Sequence, residues 1–394
     1  MWLNEDACIK CSICVSVCPV YIQDLEFPGP KILGPDWYRS YVHGSKDIIP
    51  HVDDCTFCQL CEAACPVNVP IAHLIALQKS LQKLGLRKRL RNTIFSHPAL
   101  LARFPQATKT PKFLAAMMKI STKTNWPQVA ISRVTMPSQT GPATKPKEVV
   151  GLYVDCYTSG FDREVLDSAL ALLELWEFEV LQLPGDTHCC GAAAFAGGNL
   201  KTAQKLAKST YSSTVASLPN ISALVTLNAT CDGTIRDEWP KYWGIEVSTP
   251  VMPFTDFAIE RAPASFWQDL NGRDSPNDET TTWVHTTCRS KVARGDAPLL
   301  SLAALGHLPN VRELDLACCG AAGSFAFKEE HQEVAHGMGE NILSQIHANG
   351  REQIVVDSGT CAIHLAQISG IPAKHPAYWL YERYLEIGVS NGCD

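Results

Sequence analysis

The spacing of the cysteines constrains this chain more than any other feature. Two runs near the N-terminus share the pattern Cys-x2-Cys-x2-Cys-x3-Cys-Pro, and they are Cys8, Cys11, Cys14, Cys18 and Pro19, then Cys55, Cys58, Cys61, Cys65 and Pro66. Two-residue gaps let three thiolates curl around one inorganic centre, while the fourth thiolate points away from it. The proline fixes φ and suits a sharp exit of the chain after the fourth cysteine. The pattern therefore predicts two adjoining inorganic centres.

The spacing matches the bacterial ferredoxin run, in which the fourth cysteine ligates the other [4Fe–4S] cluster. This crossing predicts that Cys8, Cys11, Cys14 and Cys65 bind cluster 1, and that Cys18, Cys55, Cys58 and Cys61 bind cluster 2. Zinc or disulfides are the alternatives, but zinc ribbons seldom use four cysteines at this spacing before a proline, twice. We therefore predict a helical, two-cluster ferredoxin-like domain over residues 1–95.

Eight further cysteines form two groups that repeat each other. The first group is Cys156, Cys189, Cys190 and Cys231, and the second is Cys288, Cys318, Cys319 and Cys361. The offsets between corresponding members are 132, 129, 129 and 130 residues, which indicates an internal duplication. Buried cysteines that act as small hydrophobes do not account for a duplicated Cys-Cys-Gly set. We therefore predict one metal or cluster site in each repeat, and Cys393 belongs to neither.

Each repeat alternates short apolar strands with helical stretches. In the first repeat, residues 149–156, 179–184 and 221–228 predict strands, and residues 162–179 and 197–218 predict helices. Each cysteine lies just past a strand and before a helix, at the edge where parallel α/β sheets bind ligands. Gly191 and Gly320 allow the backbone to pass close to such a site. We predict an α+β or α/β protein, in which two duplicated α/β cysteine-rich domains, at 148–262 and 283–394, follow the helical N-terminal domain.

The formal net charge of −6 conceals a strongly basic segment. Between Ala63 and Lys147 there are fourteen Lys or Arg residues and no Asp or Glu. Apolar residues at helical spacing occupy 71–84, and basic residues cluster at 83–91. Two hypotheses fit this stretch: a core-packing helix with a solvated end, or an interfacial anchor on anionic lipid. We predict a basic amphipathic and linker segment at 96–147 and no nucleic-acid partner, because no aromatic-interleaved motif accompanies the charge.

Two ferredoxin motifs followed by two Cys…Cys-Cys-Gly…Cys repeats resemble the iron–sulfur subunits of flavin oxidoreductase complexes. This group includes the iron–sulfur subunits of glycolate oxidase, lactate utilisation, anaerobic glycerol-3-phosphate dehydrogenase and heterodisulfide reductase. The segments at 27–39, 229–240 and 318–331 favour the family to which the C subunit of anaerobic glycerol-3-phosphate dehydrogenase belongs.

The resemblance implies an electron-transfer subunit. A flavoprotein partner would oxidise glycerol 3-phosphate, and this chain would pass the electrons to a quinone from the cytoplasmic face of the inner membrane, as a peripheral protein. No catalytic residue is predicted, and the chain is not expected to oxidise the substrate by itself. The alternatives are a glycolate- or lactate-oxidase type of complex, or a heterodisulfide-reductase-like catalytic subunit.

One departure from the heterodisulfide reductase pattern concerns the metal. There each repeat ends in Cys-x2-Cys, whereas Asn228 and Ser358 stand here at the first of these positions. Four thiolates per repeat suit a cubane cluster or a tetrahedral zinc ion. Because adjacent cysteines strain a single-ion chelate, we favour an iron–sulfur cluster.

Overall fold

A computed structural model of the chain describes residues 4–97, 119–120, 148–183, 189–218, 220–271, 280–294, 298–306, 308, 310–346 and 351–389. Most of the basic segment predicted at 96–147 lies outside these ranges, and so does Cys393.

The N-terminal region consists of short helices. Its α-helices are α1 Ile13–Ser16, α2 Pro19–Gln23, α3 Trp37–Val42, α4 Leu60–Ala63, α5 Ile71–Ser80 and α6 Leu86–Phe95. A π-helical turn at Ile32–Asp36 precedes α3, and a 3-10 turn at Val52–Asp54 precedes the second cysteine run. Pro19 begins α2 at the first helical position, where no backbone N–H is needed.

The stretch 68–95 contains two helices, α5 and α6, with different surroundings. Ile71 and Leu74 of α5 are fully buried, whereas Leu81 lies beyond the end of α5 and is exposed. In α6, Leu86 is 85% exposed and Leu90 is 50% exposed. Helix α5 therefore packs in the core, while α6 buries Arg91 and Phe95 and exposes its leucines.

Two of the basic residues between Ala63 and Lys147 do not belong to a positive surface. Lys79 is buried, and its Nζ donates to the carbonyl oxygens of Cys55 and Ala196, at 3.0 and 3.1 Å. Arg91 is only 3% exposed and forms a salt bridge with Glu330. A count of charges along the sequence does not distinguish such structural cations from solvated ones.

Each repeat folds around its own four-stranded parallel sheet. The strands are β1 Val149–Tyr153, β2 Glu179–Leu183, β3 Leu224–Thr226 and β4 Val251–Pro253, then β5 Thr281–Val284, β6 Val311–Glu313, β7 Glu352–Val355 and β8 Ala373–Lys374. The strand order is β2-β1-β3-β4 in the first sheet and β6-β5-β7-β8 in the second, which is the same topology. The predicted duplication and fold class are therefore confirmed.

Helices connect the strands within each repeat and cover the sheets. They are α7 Cys156–Phe161, α8 Arg163–Leu175, α9 Ala192–Ala196, α10 Leu200–Ser213, α11 Ala229–Gly233, α12 Phe254–Arg261, α13 Ala264–Asn271, α14 Cys288–Arg294, α15 Pro298–Leu305, α16 Gln332–Gln345, α17 Gly359–Ser369 and α18 Pro376–Val389. A π-helical segment, Thr234–Trp243, continues α11, and 3-10 turns lie at Val215–Ser217 and Glu329–His331.

The two repeats pack reciprocally around one shared core. Helix α18 of the second repeat packs on α8 of the first, and α12 of the first packs on α15 of the second. Their apolar faces form a single buried cluster with the central strands, which includes Leu152, Val225, Val284 and Val355. Both faces of each sheet are covered, and the central strands β1 and β3 are short and almost entirely apolar, whereas the edge strand β6 carries Arg312 and Glu313.

The segment directly after the cysteine pair differs between the repeats. Residues 322–327, after Cys318 and Cys319, form turns, whereas α9 follows the equivalent pair in the first repeat. The helix predicted beyond each pair is present in both repeats, as α10 and as α16. Ala322 and Gly323 both have positive φ, at 42° and 63°, which is incompatible with a right-handed helix.

Candidate iron–sulfur centres

The four cysteines predicted for cluster 1 surround one cavity. Cys8, Cys11, Cys14 and Cys65 all line it. Burial raises the pKa of the Cys14 thiol to about 11, and its neighbours Cys8, Cys65 and Cys11 raise it further in that order. The fold thus brings Cys65, from the second run, to three cysteines of the first run.

The four cysteines predicted for cluster 2 also converge. Burial raises the pKa of Cys18 to about 11, and Cys55 lies close enough to add to that rise. Burial is also the main cause of the raised pKa of Cys61, with smaller contributions from Cys58, Cys55 and Cys18. Cys18 therefore lies beside the cysteines of the second run, as the crossing predicted from the spacing requires.

Both runs use the same strained backbone to wrap around their centres. Lys10 and Ser12 have φ of 61° and 65°, and the corresponding residues Phe57 and Gln59 have φ of 59° and 65°. Left-handed conformations of non-glycine residues cost on the order of 1 kcal/mol each and tend to persist at functional sites. The repetition of this geometry 47 residues apart indicates a common requirement of the two cysteine loops.

The first repeat brings its four cysteines to one end of the sheet. Cys156 begins α7, and the Asp155 carboxylate caps that helix by accepting from the backbone N–H groups of Tyr157 and Thr158, at 3.0 and 3.2 Å. Cys231 lies in α11, and its Sγ is 3.4 Å from the Sγ of Cys190. All four cysteines of this site line one cavity.

Glycine is required beside each cysteine pair. Gly191 has φ of 93°, and a Cβ there would lie 2.7 Å from the carbonyl oxygen of Ala203. Gly320 has φ of 85°, and a Cβ there would clash with the carbonyl oxygen of Ala335. Both glycines therefore combine left-handed backbone with close approach, as the sequence pattern predicts.

The second repeat forms an equivalent site. Cys288 begins α14, and its Sγ is 3.9 Å from the Sγ of Cys318. Cys288, Cys318, Cys319 and Cys361 line a common cavity. The hydrogen bonds that Cys318 shares with Cys288 and Cys319 lower the pKa of its thiol.

The two residues that replace the fifth cysteines are helix caps. Asn228 precedes α11, and its Oδ1 accepts from the backbone N–H of Thr230 at 3.0 Å. Ser358 occupies the N-cap of α17 and is buried. The Asn228 oxygen is thus engaged in capping, so each repeat offers four cysteine ligands.

The donor sets fit an iron–sulfur centre chemically. In the first repeat the pKa values of all four thiols are raised, so they cannot all ionise unless a cationic centre compensates their charge. Thiolates are soft ligands, which suit iron–sulfur clusters and zinc. No group of three or more His, Cys, Asp or Glu side chains within the described ranges has the geometry of a single-ion site.

The second repeat site adjoins cluster 2. Cys318 lies close enough to Cys58 to raise its pKa further above the level set by burial, and Cys55 and Cys58 line the same cavity as the thiols of the second repeat. The first repeat site opens into an adjoining aromatic cavity, whose walls include Phe95, Phe161 and Phe327.

Sequence patterns missed the polar junction that joins these sites. Glu238 accepts from Gln59 Nε2 and Arg289 Nη2, both at 2.7 Å, and from Thr234 Oγ1 at 3.0 Å. Gln59 follows Cys58 directly, and Arg289 follows Cys288 directly. The only indication in the sequence is that Gln59 and Arg289 directly follow predicted ligand cysteines.

Comparison with protein families agrees with this arrangement. Residues 5–69 match the 4Fe-4S dicluster domain, and residues 150–236 and 282–366 match the cysteine-rich domain. The chain belongs to the proteins that join a 4Fe–4S dicluster domain to a duplicated cysteine-rich domain, and it is an iron–sulfur electron-transfer subunit of the oxidoreductase type.

The relatives include the one that the sequence motifs favour. The chain is 27% identical over 390 residues to the C subunit of anaerobic glycerol-3-phosphate dehydrogenase from Escherichia coli K12, covering 94% of this chain and 96% of that one. It is 25% identical to the D subunit of dihydromethanophenazine:CoB–CoM heterodisulfide reductase from Methanosarcina barkeri, covering 86% and 83%. It is 20% identical to the glycolate oxidase iron–sulfur subunit of Escherichia coli K12, covering 94% and 91%. The predicted resemblance is therefore confirmed.

Proposed function

We propose that this chain conducts electrons from a flavoprotein that oxidises glycerol 3-phosphate to a membrane quinone. The main supporting observation is that Cys55 and Cys58 line one cavity with Cys288 and Cys318, because this cavity joins the dicluster domain to the duplicated domain at ligand positions. Electrons pass from cluster 1 to cluster 2, then to the second repeat site and on to the first. Each of the four sites takes the cysteines that the spacing predicts.

The repeat sites hold iron–sulfur clusters in this proposal rather than zinc, because zinc has no redox chemistry and would interrupt the path. Cys189→Ser and Cys318→Ser should each abolish quinone reduction and leave the dicluster spectra intact. Iron, sulfide and zinc analysis of the full chain, purified anaerobically, separates the alternatives. Zinc in the repeats, or full quinone reduction by both variants, would refute an electron-transfer role for the duplicated domain.

The quinone ring docks in the aromatic cavity beside the first repeat site. The four thiols of that site share the cavity with the rings of Phe95, Phe161 and Phe327. Phe95 ends α6, so the cavity lies at one end of the basic helix. Ser324, a half-buried residue that lines this cavity, offers a test. Ser324→Trp should raise the quinone KM and spare reduction of a small soluble dye, whereas Ser324→Ala should change neither. An unchanged quinone KM in Ser324→Trp would exclude this cavity.

Helix α6 attaches the protein to the membrane surface. Leu86 and Leu90 are one helical turn apart and exposed, and Arg87, Lys88 and Arg89 lie between them, also exposed. Apolar side chains can enter the headgroup boundary while neighbouring cations bind anionic lipid, at about 1 kcal/mol per cation. None of the helices in the described part of the chain is long and apolar enough to cross a bilayer.

The attachment test excludes Arg91, because that residue belongs to the fold. Reversal of Arg87, Lys88 and Arg89 to Glu should release the protein from anionic vesicles and slow quinone reduction without affecting dye reduction. Reversal of Lys201, Lys205 and Lys208, three exposed cations of α10, is the matched control and should have little effect. Equal binding to neutral and anionic vesicles would indicate that α6 docks an acidic protein instead.

In this proposal, the flavoprotein partner determines which substrate is oxidised. Co-purification of the flavoprotein, followed by tests with glycerol 3-phosphate, glycolate and lactate, distinguishes the main hypothesis from its alternatives. Reduction of a heterodisulfide by the isolated chain would favour the catalytic alternative.

A further inference from the structure

Each repeat places one buried polar side chain at the same position relative to its first cysteine. Tyr153 precedes Cys156 by three residues and ends β1, and His285 precedes Cys288 by three residues and directly follows β5. Tyr153 is 1% exposed and His285 is fully buried. The duplication therefore puts a phenol and an imidazole at equivalent places behind the two cysteine sites.

Neither side chain has a hydrogen-bond partner in the part of the chain that the structure describes. This applies to the hydroxyl of Tyr153 and to both ring nitrogens of His285. Buried polar groups in proteins are nearly always hydrogen-bonded, so two unpartnered groups at equivalent positions need a common explanation.

Both groups lie near cysteines of their own repeat. Tyr153 packs in one buried cluster with Cys190 and Cys231. Burial raises the pKa of the Tyr153 hydroxyl, and all four thiols of the first site raise it further. Burial lowers the pKa of His285 to about 4, and the nearby Cys318 opposes that shift. A neutral imidazole keeps one N–H donor.

We propose that Tyr153 and His285 are positioning residues that donate hydrogen bonds to sulfur atoms of the centre in their own repeat, and that the different donors give the two centres different reduction potentials. This inference rests on the proposed function, because it requires an iron–sulfur centre in each repeat. A donor to sulfur stabilises the more negatively charged, reduced state, and such bonds are a principal control of cluster potential. Two sites with the same set of ligands would therefore have different reduction potentials.

The test is a redox titration of the full chain followed by electron paramagnetic resonance, with signals assigned through Cys189→Ser and Cys318→Ser. Tyr153→Phe should move the potential of the first repeat site to more negative values and leave the second unchanged. His285→Leu should do the reverse, and His285→Gln, which retains a donor, should restore part of the shift. Tyr381→Phe is the matched control, because its hydroxyl is also buried and unpartnered but packs in the shared core.

The outcomes separate this inference from the proposed function. Clusters in both repeats with unchanged potentials in Tyr153→Phe and His285→Leu would overturn the inference alone. Iron confined to the dicluster domain, or zinc in the repeats, would overturn both. A purely structural role of Tyr153 predicts a Phe variant with unaltered potentials and signals.

Discussion

Removal of Glu238 should loosen the junction that holds the cysteine sites together. Its carboxylate is 2% exposed and accepts hydrogen bonds from Gln59, Thr234 and Arg289, which belong to the N-terminal domain, the first repeat and the second repeat. Arg289 is only 8% exposed, and its Nε and Nη1 atoms have no partner among the described residues. The guanidinium therefore depends on Glu238 for compensation of its charge.

The expected effect of Glu238→Ala is large. Breaking a buried ion pair by removing one partner costs about 3–5 kcal/mol, because the other charge stays buried and uncompensated. Since loss of clusters makes unfolding irreversible, the observable is a rate. If the junction breaks before the transition state, unfolding in urea should accelerate on the order of a hundredfold or more. Electron transfer from cluster 2 to the second repeat should also slow, because Gln59 and Arg289 adjoin Cys58 and Cys288.

Two variants control this prediction. Asp237→Ala removes an exposed carboxylate that pairs with Arg236 at 3.2 Å, and it should cost under about 1 kcal/mol. The double variant Glu238→Ala/Arg289→Met should recover most of the loss, because it leaves no buried charge. An unfolding rate in Glu238→Ala within a few-fold of wild type, or no recovery in the double variant, would refute the reasoning.

Three further predictions concern single positions. Cys65→Ser should remove cluster 1 and spare cluster 2, although Cys65 belongs to the second run; loss of cluster 2 in its low-temperature spectrum would contradict the crossing. Gly191→Ala and Gly320→Ala should each destabilise the fold by about 1–3 kcal/mol and lower the iron content of their own repeat, because both glycines have positive φ and an added Cβ would clash with backbone atoms. Normal iron content in both variants would contradict this. Burial opposes ionisation of Glu330, but the guanidinium of Arg91 outweighs it and lowers the pKa of Glu330 to about 2. The pair therefore stabilises the fold above about pH 4.5, by at most about 3 kcal/mol, and the difference in the rate of unfolding in urea between wild type and Glu330→Gln should shrink as the pH falls from about 4.5 towards 2.

The cysteine chemistry was predictable from sequence because ligand geometry is local. Spacing alone predicts the partners of Cys14 and Cys18, and the structure gathers the same sets. The duplication predicts two sheets of one topology, because cysteine offsets near 130 residues leave room for the same strands and helices in each copy.

The rest depends on tertiary contacts that no local pattern encodes. In the sequence, Lys79 and Arg91 cannot be told from their solvated neighbours. The carbonyl oxygens that bind Lys79 and the carboxylate that pairs with Arg91 come from distant segments. Turns after Cys319 replace a helix where the other copy of almost the same sequence has one. The segment after Cys319 also contributes Ser324 and Phe327 to the aromatic cavity beside the first repeat site. A helix in this segment would place these two side chains differently.

The duplicated sites are equivalent in sequence but unequal in position, and this inequality gives the electron path a direction. Cys58 of cluster 2 lines one cavity with the cysteines of the second repeat site, whereas the first repeat site faces the aromatic cavity at the end of α6. A symmetric dimer of cysteine-rich domains would offer two identical sites to a donor and an acceptor. The ferredoxin-like domain packs on both repeats but places cluster 2 beside the second repeat site, which breaks that symmetry. In the proposed path one site therefore adjoins the donor, and the other is left for an acceptor. The two different buried donors, Tyr153 and His285, then allow the reduction potentials of the two sites to follow the order of the sites along the proposed electron path.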